Sequence, residues 1–237
     1  VVTGISADAS NFSLYNEGTV RGTNTGVYAI AAGARIDNVG SLNGTWQSGL
    51  TVGNGADVLN LGTISGRYGV QVFNASPGAS INIANQGLIS GTFSAIYSGQ
   101  SWSAVNLVNT GTVSSGELDV SYGAFMGSIE GDSITNYGTI VGNVNMYFGD
   151  DVFRHLGGEL KGAVLMGTGD DTVEIDQFGA DVHYDLDGGT GSDLLDVSGF
   201  GHGVWVNLGS ILPQLWTRDS GNMVDGEWRV LAEMTGF

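Results

Sequence analysis

One phrase recurs along this chain and restricts its fold more than any other feature. It reads Asn-x-Gly-x-(Ile/Val/Leu)-x-Gly. The first copy is Asn16-Glu17-Gly18-Thr19-Val20-Arg21-Gly22, and further copies occupy residues 38–44, 60–66, 85–91 and 136–142. Residues 109–116 carry the phrase with one extra serine. Residues 156–162 carry a decayed copy, in which Leu156 stands where the asparagine is expected. Successive copies start 22, 22, 25, 24, 27 and 20 residues apart. A period of this length marks a solenoid, because one such repeat cannot bury its apolar face alone and stacking supplies the core.

Each period has room for three short strands. The first ends at the asparagine (residues 12–15, 35–37, 57–59, 80–84, 104–108 and 133–135). The second is the Gly-Thr-Ile piece. The third lies beyond it (26–31, 50–52, 69–73, 94–98, 123–126 and 144–148). Apolar residues alternate in these runs, as in Ser80-Ile81-Asn82-Ile83, which is the pattern of strands with one buried face. No run shows a helical period. The chain has 41 glycines and only 2 prolines, which fits many short strands joined by tight turns. The expected fold is all-β: a right-handed parallel β-helix, or β-solenoid, with coils of about 20–27 residues. Ile64, Ile89, Val113 and Ile140 should form one inward row and the asparagines another, each amide bonding the next. Loops at 75–79, 99–103 and 116–121 absorb the longer spacings. Trp46, Phe93, Tyr97, Trp102, Tyr122 and Phe125 cluster around them and either fill corners or offer stacking surfaces for sugar rings.

The net charge of −17 is lopsided. Residues 1–116 hold four acids (Asp8, Glu17, Asp37, Asp57) and three bases (Arg21, Arg35, Arg67), a net of −1. Residues 117–237 hold the other 20 acids and four bases, a net of −16. Phosphate backbones would be repelled, which argues against a nucleic-acid partner, and a cation is the natural partner of the acidic half. The absence of cysteine excludes a disulfide scaffold. No run of 18 apolar residues is present, so no membrane-spanning helix is expected.

From residue 149 the corner before the first strand changes chemistry. It becomes Gly149-Asp150-Asp151-Val152-Phe153, then Gly167-Thr168-Gly169-Asp170-Asp171-Thr172-Val173, then Gly188-Gly189-Thr190-Gly191-Ser192-Asp193-Leu194-Leu195-Asp196. The last matches Gly-Gly-x-Gly-x-Asp-x-(apolar)-x at every fixed position. The second matches all but the first glycine, which is Met166, and the first keeps Gly149, Asp151 and Phe153. Asp151, Asp171 and Asp193 are 20 and 22 residues apart, so they should share one corner on successive coils. Ca²⁺ seeks six to eight oxygens drawn from carboxylates and carbonyls together. Gly149, Asp151, Gly167, Gly169, Asp171, Gly189, Gly191 and Asp193 are therefore the candidate calcium-site residues, and three stacked turns enclose at most two ions. Without an ion, acids crowded at one corner would oppose folding, which couples metal binding to folding. The partial match at residues 53–59 lacks an acidic neighbour one coil away and reads as a plain turn.

The nonapeptide resembles the calcium-binding repeat of the RTX family. The Asn-x-Gly-Thr-Ile-x-Gly phrases resemble those of autotransporter passengers, filamentous-haemagglutinin-like adhesins and RTX adhesins. The run from Leu195 through residues 204–208 resembles the region that follows the last nonapeptide in RTX exoproteins. The family usually carries nonapeptides in tandem, two per coil, whereas here they occupy one corner of each coil. The resemblance implies an extracellular bacterial protein whose acidic part folds on meeting external calcium. It divides the chain into a β-helix over 1–145, its continuation with calcium-binding turns over 146–199, and an irregular region over 200–237 with strands at 204–208 and 226–231 and a loop at Pro213. Val1 opens without a signal peptide and the chain stops abruptly at Phe237, so it is expected to be a fragment.

Three function classes remain open. The first is a non-enzymatic calcium-binding rod or adhesin-like module of a secreted or surface protein, touching a cell-surface glycan or a protein receptor. The second is a polysaccharide lyase, epimerase or glycosidase, or its carbohydrate-binding module. Such an enzyme needs a base or two converging carboxylates, and the candidates are Lys161, His155, His183, His202, Asp176, Asp181, Asp185 and Asp187. The third is a filament or surface-layer subunit that stacks end to end through open strand edges.

Overall fold

The computed structural model describes residues 4–73, 76–99, 101–116, 123–177, 184–207, 214–217 and 229–237. Tyr122, Asp181, His183 and Pro213 lie outside the described residues. The described chain is a parallel β-solenoid of about eight turns. It contains no α-helix among the described residues and a single 3-10 turn, Ser198–Phe200.

Among the described residues most coils contribute three strand segments, as the alternating runs predict. The first strands stack into a nine-stranded parallel sheet running from Ser13–Asn16 through Ala79–Asn85 to Leu194–Asp196. The second and third strands of all coils form a continuous larger sheet. They merge because Thr63–Val72 and Leu88–Tyr97 run from the second strand into the third without a loop.

Register converts the repeat into rows. Leu42, Ile64, Ile89, Val113, Ile140 and Leu160 stack one above another. Ile36, Val58, Ile83, Leu107, Ile134, Phe153 and Val173 form a second row. Both rows are buried in one core that is continuous along the solenoid. Burial of each Ile or Leu contributes roughly 2 kcal/mol by area.

The asparagines form the ladder expected of them. The side-chain amide of Asn16 donates to Asn38 Oδ1 at 2.7 Å, and the pattern repeats through Asn60, Asn85, Asn109 and Asn136 at 2.7–2.8 Å. The amides of Asn16, Asn38, Asn60, Asn85 and Asn136 also donate to the carbonyl of the glycine two residues on, 3.2 Å away for Asn60. These groups are fully buried from Asn38 onward, so the ladder satisfies polar atoms that water cannot reach. The glycine after each asparagine serves close approach. A Cβ on Gly40, Gly62, Gly87, Gly111 or Gly138 would run into the carbonyl of the equivalent glycine one coil earlier, whereas Gly18, at the first rung, has open space.

One expectation needs correction. Leu156 does not replace the seventh asparagine: Asn136 is in register with His155, which takes the rung. Three residues separate His155 from Glu159, whereas two separate Asn136 from Thr139, the partner of Glu159. The extra residue is absorbed at the glycine pair, where Gly158 has φ +78°. The described part of the C-terminal region contains strands. Val204–Asn207 pairs antiparallel with Gln214–Thr217, which pairs antiparallel with Arg229–Thr235. That last strand lies parallel on Tyr184–Asp187, the third strand of the last coil, and so covers its edge.

Candidate metal centre

The eight residues singled out from the nonapeptides do meet at one corner. Bridges Phe148–Thr168 and Thr168–Thr190 lock the three turns in register. The strands that follow pair as Val152–Thr172 and Thr172–Leu194, which puts Asp151, Asp171 and Asp193 in one column. Gly149, Gly167, Gly169, Gly189 and Gly191 have φ of +107°, +105°, +143°, +91° and +144°. This region is open to glycine and resisted by other residues. A Cβ on Gly169 or Gly191 would also strike the carbonyl oxygen of Gly149 or Gly169 on the preceding coil. The first turn lacks the glycine equivalent to Gly167, and Tyr147 fills the place with φ +76°. The turn shape therefore survives where its usual residue does not.

Two carboxylate columns run along this corner in opposite senses. In the inner column the later coil accepts from the earlier one. Asp132 N–H donates to Asp151 Oδ1 at 2.6 Å, Asp151 N–H to Asp171 Oδ1 at 2.8 Å, and Asp171 N–H to Asp193 Oδ1 at 2.9 Å. In the outer, exposed column the earlier coil accepts. Asp150 Oδ1 takes the N–H of Asp170, and Asp170 Oδ1 takes the N–H of Ser192, both at 2.9 Å.

Asp132 is a member of the inner column that the nonapeptide match did not include. Its position was readable, since it stands 19 residues before Asp151 and precedes the same Asp-x-apolar pattern. It differs from the others in being satisfied by the protein. Its Oδ1 accepts from Val105 N–H and Ser128 Oγ, and its Oδ2 accepts from Ser128 N–H. By contrast, Oδ2 of Asp151, Asp171 and Asp193 is buried without any hydrogen-bond partner. Asp151 and Asp171 are at most 1% exposed. Burial pushes the Asp151 carboxyl up to about 9, with the neighbouring Asp132, Asp171 and Asp150 charges adding to the rise. Burial likewise raises Asp171 and lifts Asp132 to about 6.

This donor set fits a hard cation. Three unsatisfied carboxylate oxygens lie one coil apart beside glycine turns that bring carbonyl groups close. Among the described residues no group of three or more His, Cys, Asp or Glu converges on one point. A cation here would therefore draw on two aspartates of successive coils and on backbone carbonyls, a mixed oxygen set that suits Ca²⁺ better than a metal wanting nitrogen or sulfur.

Of the described residues the enzyme class would use, Asp187 sits beside this corner, its Oδ1 accepting from Gly189 N–H at 3.1 Å, while His155 and Lys161 are engaged elsewhere. His155 closes the asparagine row. It is fully buried, its Nδ1 lies 3.0 Å from the Asn136 amide nitrogen and its Nε2 lies 3.2 Å from Tyr184 Oη. Lys161 pairs with Glu159 at 2.7 Å on the surface. Phe125 is in the core, while Trp46 and Trp102 are exposed. No family model matches the chain, and neither do any curated protein or solved structure.

Proposed function

We propose that this chain is a calcium-stabilised, non-catalytic solenoid that acts as a structural rod or adhesin-like module of an exported bacterial protein. One observation carries the reading: three successive aspartates keep a buried, unpartnered oxygen at a corner built from positive-φ glycines. Leaving such an oxygen unmet is expensive, more so when charged. A divalent ion would supply the missing partner and remove the repulsion along the column. Asp151, Asp171 and Asp193 would hold it, and Gly149, Gly167, Gly169, Gly189 and Gly191 would give their carbonyls access to it. External calcium would then favour the folded acidic half after export, which supports a secreted or cell-surface location.

The remaining architecture also supports a rod. Its buried polar rows satisfy one another along the axis, as the asparagine ladder does. No helix among the described residues is long and apolar enough to cross a membrane.

Thermal unfolding in calcium and in excess chelator tests the reading. Calcium at a hundred times its dissociation constant should add about 2.7 kcal/mol of stability, and magnesium much less. Asp171→Ala combined with Asp193→Ala should abolish most of the calcium response. An identical melt in chelator and in calcium overturns the proposal and makes the inner column a proton-held ladder, whose stability would rise on acidification.

A further inference from the structure

The acidic half draws attention, yet the near-neutral half holds an uncommon groove. It has a volume of about 640 Å³ and runs across five coils on the outside of the larger sheet. One wall is a column in strict register: Arg21, Asn43, Ser65, Ser90 and Ser114. Arg67, two residues beyond Ser65, also lines the groove. Four coil rises of about 4.8 Å give a length of about 19 Å.

The charge pattern of the groove differs from that of the rest of the molecule. Although the chain carries 24 acids, no acidic residue lines this groove among the described residues. Arg35, Arg154 and Lys161 are each in an ion pair. Among the described residues Arg21 and Arg67 have no carboxylate partner, and both face this one groove. Arg67 is also held in place, because its guanidinium lies 4.1 Å from the centre of the Phe93 ring. Stacking of this kind leaves the edge N–H groups directed outward for an anion.

We propose that this groove binds an acidic polysaccharide strand that carries a carboxylate on alternate sugars. The rise of one coil is close to the rise of one hexose in an extended chain. Arg21 and Arg67 lie two coils apart, about 10 Å along the axis, so they meet every second sugar. Asn43, Ser65, Ser90 and Ser114 offer one hydrogen-bonding side chain per coil to the hydroxyls between. Asn43 already donates to Ser65 Oγ at 2.9 Å, which fixes the wall. An extended acidic peptide fits less well. The strands cross beneath the groove, and their backbone groups are spent on coil-to-coil bonds, so none is left for pairing with a peptide. The inference is independent of the calcium corner, which lies in the other half of the chain.

The test is calorimetric titration of the whole protein, at fixed calcium, with an oligosaccharide of alternating glucuronate and N-acetylglucosamine. Binding is expected to weaken with added salt, as exposed charges require. Arg21→Gln and Arg67→Gln should each weaken it about tenfold with no change in melting temperature, since both side chains are exposed. Arg35→Gln should leave it unchanged. The carboxyl-reduced oligosaccharide should not bind. Absence of binding, equal binding of the reduced sugar, preference for polyglutamate, or an unaltered affinity of the double variant each overturns the proposal.

Discussion

Lowering the pH from 7 to 4 tests the neutral histidine that ends the amide row. Asn136 Nδ2 can only donate, so His155 Nδ1, 3.0 Å away, must accept. The ring proton therefore resides on Nε2, which donates to Tyr184 Oη at 3.2 Å. A second proton would turn Nδ1 into a donor facing a donor, inside a site with no solvent exposure. Burial accordingly lowers the histidine to about 4 from an ordinary value of 6.5. The sign follows from linkage. Above pH 6.5 the ring is neutral in both states and the full stability is present. Between 6.5 and about 4 the unfolded chain takes up a proton that the native state refuses. Stability then falls by about 1.4 kcal/mol per pH unit, roughly 3 kcal/mol in all. Below that window the loss is complete. The raised carboxyls of Asp132 and Asp151 act in the opposite sense, because their contribution is kept at low pH and lost as pH rises through about 6 and about 9. The raw profile therefore mixes opposing trends. The informative quantity is the difference between wild type and His155→Asn, measured by denaturant unfolding at fixed calcium from pH 4 to 8. That difference should close by roughly 3 kcal/mol as the pH falls. The ring resonances of His155 should stay flat down to about pH 4.5. A pKa near 6.5, or a flat difference profile, refutes the reasoning.

Other perturbations probe the ladders more directly. Asn85→Ala leaves the buried Oδ1 of Asn109 without its donor and removes three further bonds, and should lower the unfolding free energy by about 3 kcal/mol with an unchanged denaturant slope. Gly18→Ala and Gly62→Ala change the same position of the phrase. The first should be nearly neutral, and the second should cost about 2–3 kcal/mol, because only Gly62 lies over a carbonyl. Gly169→Ala combines a φ of +143° with a similar obstruction, and its midpoint should fall at least as far as that of Gly62→Ala.

Much of the fold was legible because a solenoid writes its geometry as a period. The alternation in 80–84 and 133–135 located strands, and the six asparagines located a ladder, since identical residues one coil apart must meet. The aspartate corner was legible for the same reason. What escaped depended on register, which a period averages away. His155 takes the seventh rung only because the glycine pair Gly157–Gly158 absorbs a residue. Asp132 belongs to the inner column without a glycine turn of the nonapeptide type to advertise it, and Ser128 supplies the contacts that its fellows lack. The strand Gln214–Thr217 went unseen because antiparallel pairing near the end of the chain breaks the period, leaving no repeat against which to read it. Nor is the arginine groove encoded in any single copy of the phrase. It arises from Arg21 within one copy and Arg67 just past another, two coils apart.

The bonds of the asparagine row and of the inner aspartate column point one way along the solenoid, against the sense of the exposed outer column. In the asparagine row and in the inner aspartate column, each coil gives its N–H groups to oxygens of the coil that follows it in sequence. Along these two buried rows a coil's donors are thus satisfied by its successor. Cutting the stack ahead of a given coil strands acceptors, whereas cutting behind it strands donors. Buried orphan donors are the less tolerated of the two. The molecule therefore has a grain: shortening it from the C-terminal side should be the more damaging direction. The strand Arg229–Thr235 and the histidine at position 155 are both found toward that side, where donors need closing off.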